Sequence, residues 1–127
     1  MDKKPSEYIT EFLNFVAEAQ VQHRIYEEEV NNQDKLTQDY LHKLELGELK
    51  CDERSKVATK LAINRQDRRY YKDRVEELKP IVEFFNDPGN KKMLEKLKHI
   101  LGETRRWESY HKDRKYKPRV LKEKKDE

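Results

Sequence analysis

The stretch that decides the fold runs from Val57 to Phe85 and reads VATKLAINRQDRRYYKDRVEELKPIVEFF. Nine positions in it are alternately four and three residues apart: Val57, Leu61, Asn64, Arg68, Tyr71, Val75, Leu78, Val82 and Phe85. An unbroken four–three repeat is typical of a helix that packs along one face, as helices do in coiled coils. We therefore predict a long helix over this stretch, with another helix along its seam.

Two of these nine seam positions are polar, Asn64 and Arg68. A polar residue in a coiled-coil seam usually fixes the register or the number of partners at some cost in stability. The alternative is that this part of the seam is uncovered and meets a ligand. We favour the interpretation that the two residues fix the register.

Pro80 lies inside the repeat, where proline removes a backbone donor and clashes with the preceding turn. We expect a kink or a short break there, followed by a final turn or two over residues 81–85. The sequence Asp-Pro-Gly-Asn at 87–90 is typical of a turn and predicts a reversal of the chain.

A second amphipathic helix is predicted upstream, beginning near Pro5 and Ser6. Residues 31–34 are polar and form helix weakly, so a kink there is one alternative, and Gly47 is expected to end the helix. His23 is interpreted as a core or interface residue rather than a metal ligand. The predicted apolar stripe consists of Ile9, Phe12, Val16, Ala19, His23, Tyr26 and Val30, and then of Leu36, Tyr40, Leu41 and Leu44.

A third helix is predicted from about Lys91, with its seam at Met93, Leu97, Ile100, Thr104, Trp107 and His111 and with Leu94 and Leu101 widening the stripe. This register favours burial of Trp107, the only tryptophan, over the alternative that it stacks on a ligand. Periodicity fades after His111, and Pro118 disfavours helix at the residue before it. The end of the chain, residues 122–127, is expected to be a frayed charged tail.

The fold class predicted from these elements is all-α, either an antiparallel three-helix bundle or a long helical hairpin with coiled-coil-like seams. Residues 1–113 are assigned to the helical bundle and residues 114–127 to a basic extended tail. A composition of 34% hydrophobic and 43% charged residues favours long helices with narrow seams over a thick core. Such a thin bundle often stabilises itself by dimerising, so a homodimer is one alternative.

The sequence contains no residue pattern that is typical of catalysis. It has no glycine-rich phosphate loop, and its four histidines have no partners at metal-ligand spacing. The single cysteine, Cys51, indicates a reducing compartment. The sequence lacks an apolar stretch of about 18 residues, which a membrane-spanning helix would need. We therefore expect a cytoplasmic protein that is not an enzyme and needs no metal or other cofactor.

Charge is unevenly distributed along the chain. Residues 1–50 hold 6 basic and 11 acidic residues, whereas residues 51–127 hold 23 basic and 15 acidic residues. The favoured explanation is that the two parts pack side by side and attract each other. The alternative is that a basic face binds an acidic partner.

Two basic clusters are candidates for such a face. Residues 54–74 hold 8 basic and 2 acidic residues, and residues 105–127 hold 10 basic and 5 acidic residues. Arginine with interleaved aromatic residues suits phosphate pairing and stacking, although pairing with the first helix or with a helix dipole would explain it equally. The candidate partner-binding residues are Arg65, Arg68, Arg69, Tyr70, Lys72, Arg105, Arg106, Lys112, Arg114, Lys115, Lys117 and Arg119.

The last half of the chain resembles a group of known proteins. The sequence LEKL at 94–97, the sequence LGE at 101–103 and the sequence RKYKPRVL at 114–121 are similar to those of short helical proteins encoded in phages and prophages of Gram-positive bacteria. This resemblance implies a bacterial, phage-related setting. Proteins of that kind often bind a host enzyme, a nucleic-acid complex or a defence system such as a CRISPR nuclease.

Our functional hypothesis from the sequence is a non-enzymatic helical protein that binds a host protein or nucleoprotein complex and modulates it, with inhibition of a CRISPR nuclease as the most specific version. The first alternative is direct nucleic-acid binding through the basic clusters. The second alternative is a structural homo-oligomer held by the seam of the second helix.

Overall fold

A computed structural model describes residues 2–121. This part of the chain forms three α-helices, α1 (Pro5–Leu46), α2 (Cys51–Asn86) and α3 (Pro88–Lys112), and contains no β-strand. The predicted all-α class is therefore confirmed. No helix within residues 2–121 combines the length and the apolar character that a membrane crossing requires.

Short connections and capping residues separate the three helices. The backbone N–H of Gly47 donates to the carbonyl oxygen of Lys43, so α1 ends at the predicted glycine. Asp87 lies between α2 and α3, and its carboxylate accepts a hydrogen bond of 3.1 Å from the N–H of Gly89. This cap satisfies an otherwise unpaired donor in the first turn of α3. Asp87 is thus the only residue between the end of α2 and the start of α3.

α1 and α2 form a long hairpin along the predicted seam. All nine seam positions of α2 are buried or half-buried, and Val57 and Phe85 belong to the core. On α1, Val16 and Ala19 are each only 3% exposed. Because α1 of the same chain fills the α2 seam, a homo-oligomer would have to use a different surface.

The polar part of the seam is also covered. Asn64 is 2% exposed, and its amide nitrogen donates to the main-chain oxygen of Gln33 at 3.0 Å and to its Oε1 at 2.7 Å. Its Oδ1 accepts a 2.6 Å hydrogen bond from the hydroxyl of Thr37. One helical turn further on, Arg68 pairs with Asp34 of α1. The alternative that this part of the seam meets a ligand is wrong, and the hydrogen bonds support a role in fixing register.

α1 is continuous across the polar residues 31–34. Residues 31–34 are helical, and the four–three spacing continues from Val30 through Gln33 and Thr37. These two polar residues take the seam positions because they bond to Asn64, whereas Leu36 and Leu41 are exposed. The apolar stripe that we predicted after residue 34 is therefore wrong at Leu36 and Leu41, each of which lies one residue away from a seam position.

α2 continues without a break through Pro80 to Asn86. Pro80 itself is exposed, while Leu78 and Val82 on either side of it stay in the seam. Of the two predicted alternatives, a kink or a short break, the break is absent, because packing on both sides of the proline holds the helix together against the lost hydrogen bond.

α3 lies across the end of the hairpin. It starts next to Phe85, whose ring contacts Phe12 at 5.9 Å between centroids, and 17 residues later Arg105 donates a hydrogen bond to Thr10. A helix of 17 residues is about 26 Å long, so an α3 that ran along the hairpin would place Arg105 far from the first turns of α1. The architecture is a long helical hairpin with a third helix crossing its open end.

Candidate basic–aromatic interaction surface

The rotation of α3 about its axis decides which side chains face outward. Its buried and half-buried positions towards the hairpin are Leu94, Leu97, Leu101, Thr104 and Glu108. Leu94, Leu97, Leu101 and Thr104 belong to the predicted stripe, whereas three of its other members, Met93, Ile100 and Trp107, are exposed. Trp107 is 62% exposed, and the prediction that it is buried is wrong.

A clamp between α3 and α1 fixes this rotation. The carboxylate of Glu108 accepts a 2.6 Å hydrogen bond from the hydroxyl of Ser6 and a 3.1 Å hydrogen bond from its backbone N–H. Ser6 lies buried in the first turn of α1, where unpaired N–H groups and the helix dipole favour a negative charge. The hydrogen bond from the Ser6 hydroxyl is the main reason why the pKa of Glu108 is lowered. With Glu108 held inward, the neighbouring Trp107 points away from that contact.

Arg105 also serves this contact. Its guanidinium donates a 3.1 Å hydrogen bond to the hydroxyl of Thr10, and its charge helps to lower the pKa of Glu108. The sequence grouped Arg105 with the partner-binding residues, but the structure places it between α3 and α1.

The outward face of α3 carries an aromatic cluster near its C-terminal end. The rings of Trp107 and Tyr110 are 5.8 Å apart and nearly perpendicular, and His111 lies 5.8 Å from Trp107. The guanidinium of Arg114 lies 5.6 Å from the centre of the Tyr110 ring. Since Tyr110 is 59% exposed and Trp107 is 62% exposed, two large aromatic surfaces face water.

Cations surround this cluster. A groove of about 560 Å³ runs between the last turns of α3 and the segment that follows, and a second groove of about 420 Å³ lies beside Trp107. Asp113 is the one carboxylate among the residues lining the larger groove. We define the basic–aromatic surface as Arg106, Trp107, Tyr110, Arg114, Lys115 and Lys117.

The cations of this surface stay outside the ion pairs of the described residues. Within residues 2–121, none of its four basic side chains lies within ion-pairing distance of a carboxylate. Lys112, in the last turn of α3, and Arg119, beyond the helix, are exposed as well. Residues 114–118 have no regular secondary structure, and the predicted frayed tail over 122–127 lies outside the described residues. The surface therefore combines open aromatic rings with a concentrated positive charge.

The first basic cluster is organised differently. Arg68 pairs with Asp34, while Arg74 pairs with Glu77 at 2.6 Å, which raises the pKa of the guanidinium. Arg74 also lies 4.9 Å from the centre of the Tyr70 ring. The structure thus contains one direct ion pair between the acidic α1 and the basic α2 within residues 2–121, the pair of Asp34 and Arg68.

Among the candidate partner-binding cations of that cluster, three lie outside the ion pairs found in residues 2–121: Arg65, Arg69 and Lys72. They are far from the basic–aromatic surface. Tyr70 contacts Tyr26 of α1, whereas Glu108 contacts Ser6, and 20 residues of α1 separate these two points by about 30 Å. The two clusters predicted from the sequence are thus separate surfaces.

Residues of the types that bind metals occur across the described part of the chain. Among residues 2–121 there is no group of three His, Cys, Asp or Glu side chains that could hold a metal ion. Cys51 is exposed at the start of α2. His23 occupies a half-buried seam position and lies 2.9 Å from Glu27, as its interpretation as an interface residue predicted.

No protein-family model, curated protein or solved structure matches this chain.

Proposed function

We propose that this chain is a non-enzymatic interaction protein that docks onto a nucleoprotein complex and modulates its activity. The observation that carries the proposal is the basic–aromatic surface, whose four cations surround two exposed aromatic rings. Arginine side chains bind phosphate with two parallel hydrogen bonds, and a cluster of cations gains further affinity from the counterions that a polyphosphate releases.

The most specific version of this proposal is inhibition of a nuclease complex such as a CRISPR nuclease. It is supported by the resemblance of the last half of the chain to phage proteins. In this version, the basic–aromatic surface competes for the phosphates of the guide or of its target.

A pull-down tests the proposal. The tagged protein is incubated with bacterial lysate, with and without nuclease treatment, and the bound proteins are identified by mass spectrometry. We expect a defined set of nucleic-acid-binding proteins that is retained by the wild type and lost when Arg106, Arg114, Lys115 and Lys117 are all changed to alanine.

The matched control removes four exposed cations elsewhere, by changing Lys35, Lys43, Lys50 and Lys56 to alanine. This control variant should retain the same proteins as the wild type. Equal loss in both variants would show that net charge alone causes the capture, and retention by both would show that the basic–aromatic surface is not used.

A further inference from the structure

The exposed indole of Trp107 places a constraint on the form of the nucleic acid. Its ring is 62% exposed at the end of a helix and borders a groove of about 420 Å³, which Glu103, Arg106 and Tyr110 also line. The rings of His111 and Tyr110, each 5.8 Å from the indole between centroids, restrict its movement, so less side-chain freedom is lost when a flat ligand packs on it.

An unpaired nucleotide presents the flat face of its base close to phosphates, which fits this surface. In a duplex the faces of the bases are stacked on one another, whereas in a single strand they are accessible to aromatic side chains. Phosphate pairing alone would need the cations of the basic–aromatic surface but would leave the exposure of Trp107 and Tyr110 unexplained.

The cations lie where the backbone of such a strand would pass. Arg106 borders both grooves, and Arg114, Lys115 and Lys117 line the larger one. Arg114 is also held over the ring of Tyr110, which orients its guanidinium. Aromatic platforms beside a positively charged groove are the combination by which proteins bind single strands without strict sequence preference.

We infer that the basic–aromatic surface binds single-stranded nucleic acid, with a base stacked on Trp107 and the neighbouring phosphates paired with the four cations. This inference rests on the proposed function and specifies the ligand of the same surface. Four neutralised phosphates predict that affinity falls roughly 50-fold between 50 and 200 mM salt for a single strand.

Fluorescence anisotropy with labelled strands tests this inference. The probes are an oligothymidylate and an oligouridylate of about 20 nucleotides and a DNA duplex of the same length. We expect the single strands to bind at least about tenfold more tightly than the duplex. Because Trp107 is the only tryptophan, binding should also quench the intrinsic fluorescence of the wild-type protein.

The deciding variant is Trp107→Leu, which keeps an apolar side chain but removes the aromatic ring. It should weaken single-strand binding by about 5- to 100-fold, the range for loss of one stacked base. Tyr8→Leu is the matched control, because Tyr8 is an equally exposed aromatic residue outside the surface. Circular dichroism of both variants verifies that the helices are retained.

Three results would contradict the inference in distinguishable ways. Equal affinity for duplex and single strand, or no effect of Trp107→Leu, would overturn base stacking while leaving phosphate-based docking intact. Absence of binding to any of the three probes at 50 mM salt would overturn both the single-strand inference and the phosphate contact in the proposed function.

Discussion

The buried amide of Asn64 provides a quantitative test of the hairpin. Asn64→Ala removes a side chain that is 2% exposed and makes three hydrogen bonds to α1, two to Gln33 and one from Thr37. We expect the variant to stay helical but to unfold more easily, because buried donors and acceptors on α1 lose their partner.

The size of the effect follows from these contacts. Three hydrogen bonds at about 1 kcal/mol each give about 3 kcal/mol, and the higher helix propensity of alanine offsets about 0.6 kcal/mol of this loss. The single proton of the Thr37 hydroxyl can turn to its other acceptor, the main-chain oxygen of Gln33 at 2.9 Å, so the hydroxyl adds no further penalty. The expected decrease in the free energy of unfolding is therefore about 2 kcal/mol.

Urea unfolding followed by circular dichroism measures this change. With an ordinary dependence on denaturant, a loss of about 2 kcal/mol lowers the midpoint by roughly 1 M urea. Gln66→Ala is the matched control, since Gln66 is an exposed amide on the same helix, and it should change stability by less than about 0.5 kcal/mol. Equal midpoints for the two variants would refute the idea that the polar seam stabilises the hairpin.

Two further predictions concern the proline in α2 and the contact between α3 and α1. Pro80→Ala should stabilise the protein by up to about 3 kcal/mol, because an exposed helical position regains its backbone donor. Thermal unfolding measures this change, and an unchanged or lower melting temperature would show that the packing requires the proline. Glu108→Gln should destabilise the docking of α3 at neutral pH but not in acid. The lowered pKa of Glu108 means that its ionised form stabilises the fold above the ordinary value of about 4.3, and that this contribution is lost as the pH falls through the lowered value. Unfolding of wild type and variant over a series of pH values from about 7 downwards measures it, and a difference that does not shrink as the pH falls would contradict this origin.

The sequence alone predicted the hairpin well because its determinants are local. The four–three repeat from Val57 to Phe85 can be recognised in a stretch shorter than α2 itself. Gly47 and Asp87 lie at helix ends, where glycine and aspartate are common capping residues. The seam of α1 was partly missed, since Gln33 and Thr37 occupy seam positions only because Asn64 of α2 bonds to them.

The candidate site was predictable in composition but not in geometry. Leu94 and Leu101 form one seven-residue repeat on α3, and Met93, Ile100 and Trp107 form another, so periodicity gives no reason to bury one rather than the other. In the structure, Glu108 is held inward by a residue 102 positions away, and no local window contains that contact. The basic residues near the C-terminus were identifiable from charge, whereas the exposure of Trp107 depends on the rotation of α3.

The order of contacts along the chain also implies an order in time. α1 and α2 are joined by only four residues, 47–50, so their seam can close from that end outwards with a small loss of loop entropy at each step. Ser6 and Glu108 meet only once the hairpin has brought the ends of α1 and α2 together. We therefore expect α3 to dock last during folding and to detach first during unfolding, so that substitutions at Glu108 accelerate unfolding more than they slow folding. The helix that presents Trp107 and its surrounding cations is, on this reasoning, the part of the molecule that opens most often.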